Sequence, residues 1–222
     1  MKKLLIILIS LIIVTNSYSQ IISESTKKKF SIGVDLFSDI WVDVPSSISQ
    51  RTINKGFDIF GMYNYQLGKS NFSFAVGAGL GTHNFFSNSM IKDVRSDSIV
   101  FDIIPDSISY KKSKISVTYL DVPIEFRFRS KGKFKMSLGF KAGYLINSNA
   151  KYKGNNLNDE TQKIKEKRKD IKNLETLRYG ATLRIGLGGF NLYGYYSLSK
   201  LFKKGQTNEM YPVSIGITFM PF

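Results

Sequence analysis

Cysteine is absent from the 222 residues and histidine occurs once, at His83. The first absence excludes a disulfide framework, a thiolate zinc site, a cysteine nucleophile and a lipid-modified cysteine anchor. The second excludes metal sites built from several imidazoles. Proline is scarce, at 5 residues. Beyond the first twenty residues no stretch approaches the ~18 consecutive apolar residues of a membrane-spanning helix. What is present is glycine (18), tyrosine (12), phenylalanine (17) and a net charge of +15. Aromatic and β-branched residues in quantity point to strands rather than helix bundles. At 42% hydrophobic and 22% charged residues the chain is not disordered, and its length suits one domain.

The N-terminus reads as an address. Met1-Lys2-Lys3 is a positive n-region, Leu4 to Val14 an apolar run of about eleven residues, and Thr15 to Ser19 a polar c-region. Ser17 and Ser19 put small residues at −3 and −1 of a cleavage before Gln20. The expectation is a secretory signal over 1–19 and an exported domain over 20–222. Losing Lys2 and Lys3 lowers the charge from +15 by two, to about +13. Export turns a basic pI away from nucleic acid and toward lipid head groups and lipopolysaccharide phosphates.

The rest of the chain alternates with period two in eight segments. Phe57, Ile59, Gly61, Tyr63, Tyr65 and Leu67 share one face, and Phe72, Phe74, Val76, Ala78 and Leu80 the next. Leu120 to Phe128, Phe134 to Ile146, Tyr179 to Ile185 and Phe190 to Leu198 follow the same rule. Phe30-Ile32-Val34-Leu36 and Tyr211-Val213-Ile215-Ile217-Phe219 flank them. The apolar faces are almost free of charge. The opposite faces carry glycine, serine, asparagine and charges of both signs: Asp35, Asp58, Glu125, Arg127, Arg129, Lys141, Arg178 and Arg184. A charge on a lipid-facing wall costs about 2–4 kcal/mol at the midplane, so a charge-free apolar face suits lipid. Only a closed barrel satisfies its backbone groups there.

Connections alternate in length as well. Residues 68–71, 130–133 and 188–189 are short turns, whereas 43–55, 84–114, 149–176 and 203–210 are long. Short turns on one side and long loops on the other is the outer-membrane pattern. The fold expected is an all-β, eight-stranded, antiparallel up-and-down transmembrane barrel with short periplasmic turns and long extracellular loops. A terminal aromatic, Phe222, after the alternating strand that ends at Phe219 looks like the signal read by the outer-membrane insertion machinery, although the two differ in parity and Pro221 intervenes.

Tyr119-Leu120-Asp121-Val122-Pro123, continued by Ile124-Glu125-Phe126, resembles the YLE(I/V)P signature of PorT-like small outer-membrane β-barrel proteins of Gram-negative Bacteroidetes, with Asp121 where glutamate is commoner. The resemblance implies an outer-membrane location and a lone barrel domain. Some members of that family are accessories of the type IX secretion and gliding machinery, and many have no assigned role.

For chemistry the sequence offers little. His83, with Ser87 and Ser89 nearby, has the residue types of a lipid-modifying or proteolytic barrel, but a lone histidine is more simply a loop or interface residue. Eight strands enclose a lumen just wide enough for side chains, so the internal charges are expected to pair, Glu125 with Arg127, Arg178 or Arg184. The aspartates of 84–114 (Asp93, Asp97, Asp102, Asp106) are too irregular for a calcium loop. There, Ile99, Phe101 and Ile103 alternate as if strands three and four extended above the membrane. Lysines 163, 165, 167, 169 and 172 with Arg168 make 149–176 a solvated, partly helical or mobile loop, or a contact for lipopolysaccharide phosphates. The expectation is a non-enzymatic barrel without cofactors, structural or binding partners through its loops. Its partners would be outer-membrane lipid, lipopolysaccharide, the insertion machinery and secretion-system proteins, and not nucleic acid. A small transport barrel or lipid-modifying enzyme is the alternative.

Overall fold

In the computed structural model, residues 29–157, 161–205 and 209–220 are described. The expected signal segment 1–19, the cleavage point before Gln20 and the terminal Phe222 lie outside them.

Eleven strands form along the chain: β1 (Phe30–Val42), β2 (Lys55–Gln66), β3 (Phe72–Phe86), β4 (Ser89–Ile91), β5 (Phe101–Ile103), β6 (Tyr110–Arg129), β7 (Phe134–Asn155), β8 (Lys163–Lys169), β9 (Leu177–Leu187), β10 (Phe190–Ser197) and β11 (Tyr211–Phe219). Eight of them close on themselves in the order β1-β2-β3-β6-β7-β9-β10-β11, all antiparallel, β11 returning to β1 from Val34 opposite Phe219 to Val42 opposite Tyr211. Closure removes every free edge at membrane depth. The turns at one end are short. At the two-residue β9–β10 connection Gly188 has φ 60°, the left-handed conformation that a tight hairpin turn demands.

The barrel is inside out relative to a soluble protein. Ile32, Leu36, Ile59, Phe74, Leu120, Phe126, Leu138, Phe140, Leu192 and Ile217 all stand on the outer wall with 43–70% of their surface exposed. The polar face is buried. Among the described residues no helix is long and apolar enough to cross a membrane.

A buried apolar core exists, but it sits above the barrel. Trp41, Ile48, Phe85, Ile91, Val94, Ile99, Ile115, Val117, Ile171, Leu174, Leu201 and Phe202 pack as one cluster drawn from all four long connections and the strand ends beneath them. The loops are also tied by hydrogen bonds. Lys172 N donates to Val94 O at 2.9 Å, Asn88 N to Ser49 O at 3.0 Å, Lys203 N to Asn173 O at 3.0 Å, and Asn173 Nδ2 to Ser96 O at 2.7 Å. Burying this much apolar surface in loops gives the long-loop end the packing of a small soluble domain.

Two loop expectations need correction. Ile99, Phe101 and Ile103 do not lengthen the β3–β6 pair; β5 folds back on β4 as a separate two-stranded sheet, with Ile91 opposite Phe101. The pair is lengthened instead by residues 83–86 and 114–117. Nor are the described residues of 149–176 helical: β7 continues to Asn155 and β8 pairs with it from Asn149 opposite Lys169 to Asn155 opposite Lys163.

Candidate functional site: a filled lumen under a loop cap

Inward positions of the barrel strands meet across a narrow interior, so each charge finds partners from distant parts of the chain. At the short-turn end Arg127 (β6) reaches Glu125 with Nε at 2.7 Å, and donates through Nη1 to Ser31 Oγ at 2.9 Å and Asn64 Oδ1 at 2.6 Å. Above it Arg184 (β9) bridges two acids, donating from Nη2 to Asp35 Oδ2 at 2.6 Å and from Nη1 to Glu125 Oε1. Its Nε is satisfied by Thr218 Oγ1 at 3.0 Å, and its guanidinium lies 4.7 Å from the Phe60 ring centre and 4.8 Å from that of Tyr193. Lys141 (β7) donates to Asp58 Oδ2 at 2.6 Å and to Tyr193 Oη at 2.9 Å. Arg178 (β9) is held by Asp121 at 2.7 Å and stacks 4.1 Å from the Tyr119 ring centre.

Space for this network comes from missing side chains. A Cβ on Gly81 would meet Asp58, Asp121 and Arg178, and one on Gly143 would meet Asp121 and Arg178. The glycines of the polar face are therefore room for the charges, as the tight packing of an eight-stranded interior requires.

His83 tops the column, 1% exposed. Its Nδ1 lies 2.9 Å from Asp39 Oδ1 and its Nε2 faces Arg178 Nη1. An arginine can only donate, so Nε2 accepts and the proton sits on Nδ1, donated to Asp39. The nearest hydroxyl in the chain of contacts is Ser214, which donates to Asp39 Oδ1 at 2.7 Å. The carboxylate thus stands between serine and histidine, and the imidazole has no free nitrogen to take a serine proton. That order is wrong for a nucleophilic triad. Ser87 and Ser89 bond to one another at 2.9 Å instead. The cavity bounded by His83, Phe85, Tyr119, Arg178 and Tyr195 measures about 10 Å³, at the threshold for a single water. Among the described residues no group of three His, Asp or Glu side chains is placed to hold a metal ion.

Residues 30–203 match the family described as outer membrane protein beta-barrel domain. The chain belongs to that family. Its barrel is therefore an outer-membrane barrel, with the short turns periplasmic and the loop cap outside. Among solved structures it is similar to Ail, the attachment invasion locus protein of Yersinia pestis, solved in complex with the heparin analogue sucrose octasulfate. The identity is 14% and the TM-score 0.40, over 86% of this chain and 97% of that one. A likeness of that size is no basis for a shared ligand. No curated protein matches the chain.

Of the eight charges singled out in the sequence, the outer-membrane barrel gathers Asp35, Asp58, Glu125, Arg127, Lys141, Arg178 and Arg184 in its lumen. Arg129 is not gathered. It is exposed at the end of β6, opposite Lys135 at the periplasmic rim, because the strand leaves the barrel there. Arg178 pairs with Asp121 and not with Glu125. His83 is a lumen residue and not a loop residue, since β3 continues past it to Phe86. Asp39, Asp121 and His83 are lumen members that charge-by-segment reading left out. The signal was there for Asp121, four residues before Glu125 on the same face. Within the motif, Tyr119 and Asp121 both hold Arg178, while Leu120 and Val122 face outward. Pro123 lies opposite Lys141 of β7, where it brings no backbone donor to the ladder. Phe219 is partly exposed and pairs with Val34 and Phe190.

Proposed function

We propose that this outer-membrane barrel is non-enzymatic and non-conducting, and that it serves as a rigid mount for its extracellular cap. One observation carries the reading: a lumen filled by interlocked ion pairs lies beneath four loops packed around a shared apolar core. A barrel built to pass solute has no use for Asp35, Glu125 and Arg184 locked together across its narrow axis. A lipid-modifying barrel needs a free base, and both nitrogens of His83 are engaged. The cap, by contrast, presents a preorganised surface, which lowers the ordering cost of binding a partner.

The finer reading is that the partner belongs to a protein-secretion apparatus of the type IX and gliding kind, supported by the Tyr119–Pro123 resemblance. Export by a cleaved signal over 1–19 and recognition by the insertion machinery through Phe219 and Phe222 belong to the same proposal. Affinity purification from outer membranes in mild detergent tests it, with wild type beside a variant in which 88–104 is replaced by a short turn. Recovery of secretion-apparatus proteins with wild type and their loss with the variant is the expected result. A lone barrel in both samples contradicts the partner reading.

A further inference from the structure

The extracellular extension of the barrel wall carries a lattice of lysines that the fold has taken trouble to align. Between Thr118 and Tyr119 the β6–β7 register shifts: Tyr119 faces Leu145, Thr118 faces Asn147, and Ile146 is the extra residue. Such a bulge reverses which face the following side chains occupy. Below it the even-numbered residues of β7 point to lipid. Above it Asn147, Lys151 and Lys153 take the outward side, with Asn149 of the same parity but buried, while Ser148, Ala150 and Tyr152 are buried on the other side. The outcome is strict register with the neighbours. Lys114, Lys151 and Lys167 form one row across β6, β7 and β8, and Lys112, Lys153 and Lys165 form the next. Ser116, Asn149 and Lys169 lie beneath them, one step closer to the membrane.

Like charges directly opposite on neighbouring strands are destabilising, and the crowding is visible in the protonation equilibria. Lys151 is held below the usual lysine range, chiefly by Lys112, with burial, Lys165, Lys167 and Lys153 adding to it. Lys114 is pushed down to about 8 by burial, then by Lys112, Lys151 and Lys167. Among the described residues no acid relieves the face. Glu166 of β8 has the opposite parity and lies 3.7 Å from Arg168, whose Nη1 is tied to Lys92 O on the loop side. The other side of the same sheet is occupied by Ile104, Ile108, Tyr152 and Ile164. So the sheet is amphipathic, with its apolar side covered by the β4–β5 loop and its cationic side open at Lys153, Lys165, Lys167 and Lys169, while Lys114 Nζ donates to Asn84 Oδ1 at 2.5 Å at the edge of the face.

Where this side points decides the occupant. On β6 it is continuous with Leu120, Val122, Ile124 and Phe126, the wall that meets lipid. Lys114 lies six residues above Leu120, about 14 Å higher for a strand rising ~3.3 Å per residue at ~45° tilt. A cation on the lipid-facing side at that height stands beside the phosphorylated sugars of the outer leaflet and not beside the acyl chains, and it does not face the solvent-exposed top of the cap. We infer that the lysine face of β6, β7 and β8 binds the phosphate groups of lipopolysaccharide molecules packed against the barrel. This deepens the mount reading, on which it rests, by naming the molecule that holds the cap's flank.

The probe is fluorescent lipopolysaccharide titrated onto the full-length folded protein in detergent. The arms are phosphorylated lipopolysaccharide, the same material after phosphatase treatment, and heparin as a lipid-free polyanion. Each lysine near an anionic surface contributes about a fivefold factor in affinity. The triple variant Lys114→Gln, Lys151→Gln, Lys167→Gln is therefore expected to bind phosphorylated lipopolysaccharide about a hundredfold more weakly, and Lys112→Gln, Lys153→Gln, Lys165→Gln provides a second, independent row. Lys69→Gln with Lys131→Gln, in the periplasmic turns, retains wild-type binding. Heat-modifiable migration verifies that each variant is folded. Wild-type affinity in both row variants overturns the inference, as does equal binding of dephosphorylated material. Heparin binding as tightly and displacing the lipid overturns the choice of occupant. Planar-bilayer recordings on the same samples separate the two claims: an open channel with intact lipid binding refutes the sealed mount alone, and lost binding with a closed lumen supports both.

Discussion

Arg184 is the group on which the lumen network turns, and replacing it with methionine puts the account at risk. The guanidinium satisfies Asp35 and Glu125, which are 0% and 1% exposed, and also Thr218. Removing one partner of a buried ion pair costs about 3–5 kcal/mol, because a desolvated charge is left behind. The two acids differ in what remains to them. Glu125 keeps Arg127 at 2.7 Å, whereas Asp35 keeps only the Thr218 hydroxyl at 2.6 Å. One carboxylate and not two is orphaned, so the loss should sit near the lower bound, about 3 kcal/mol. Arg184→Met combined with Asp35→Asn removes the orphaned charge as well and leaves the Glu125–Arg127 pair intact, and replacing both members of a buried ion pair is often neutral. The double variant should regain most of the loss. Reversible urea unfolding from lipid vesicles, followed by the fluorescence of Trp41, measures both. A single variant within about 1 kcal/mol of wild type, or a double variant no better than the single, would refute the claim that these charges form one interlocked unit.

Further outcomes follow from the same geometry. Gly143→Ala places a methyl against Asp121 and Arg178, and should cost about 1–3 kcal/mol in the same unfolding assay; an unchanged midpoint would show slack in the lumen. Trp41, 2% exposed and stacked 4.9 Å from Phe85, should emit at short wavelength and resist acrylamide quenching. Replacing 88–104 with a short turn should redden and expose it, and equal quenching in both proteins would contradict a packed cap. Lys114, held at about 8 in the folded state against 10.5 unfolded, binds fewer protons when folded. The cost of its charge is then fully present below about 8 and disappears as pH rises toward 10.5, so stability should increase over that interval. Lys114→Gln should flatten the rise, and a fall in stability across the same range in wild type would reverse the assignment.

Period-two alternation exposed all eight barrel strands because lipid demands an unbroken apolar wall, and a lumen of this width demands small or paired polar residues opposite. It failed at the strands' outer ends for a physical reason. On β6 the outward residues are apolar from Leu120 onward, but above Tyr119 the phase inverts: Ile115 and Val117 face inward to the cap, while Lys112, Lys114 and Ser116 face out. The solvent changes from lipid to water along one strand, so a search for a constant apolar face loses it at the boundary. Asp39 and His83 were missed for the same reason, lying beyond Leu36 and Gly81 where the alternating segments stop. β8 left no trace in the sequence. Lys163 to Lys169 holds one apolar residue, Ile164, and becomes a strand because β7 offers an edge to pair with. The parity flip at Ile146 that aligns the lysines is likewise a property of register, which composition does not carry.

The central claim is that this outer-membrane barrel is sealed by its own side chains and does not conduct. Purified, refolded full-length protein in planar lipid bilayers tests it most directly. The account predicts no stable conductance steps in wild type, with openings appearing only when Arg184 and Lys141 are replaced together by alanine. Steady ohmic steps in wild type that scale with salt concentration would contradict it.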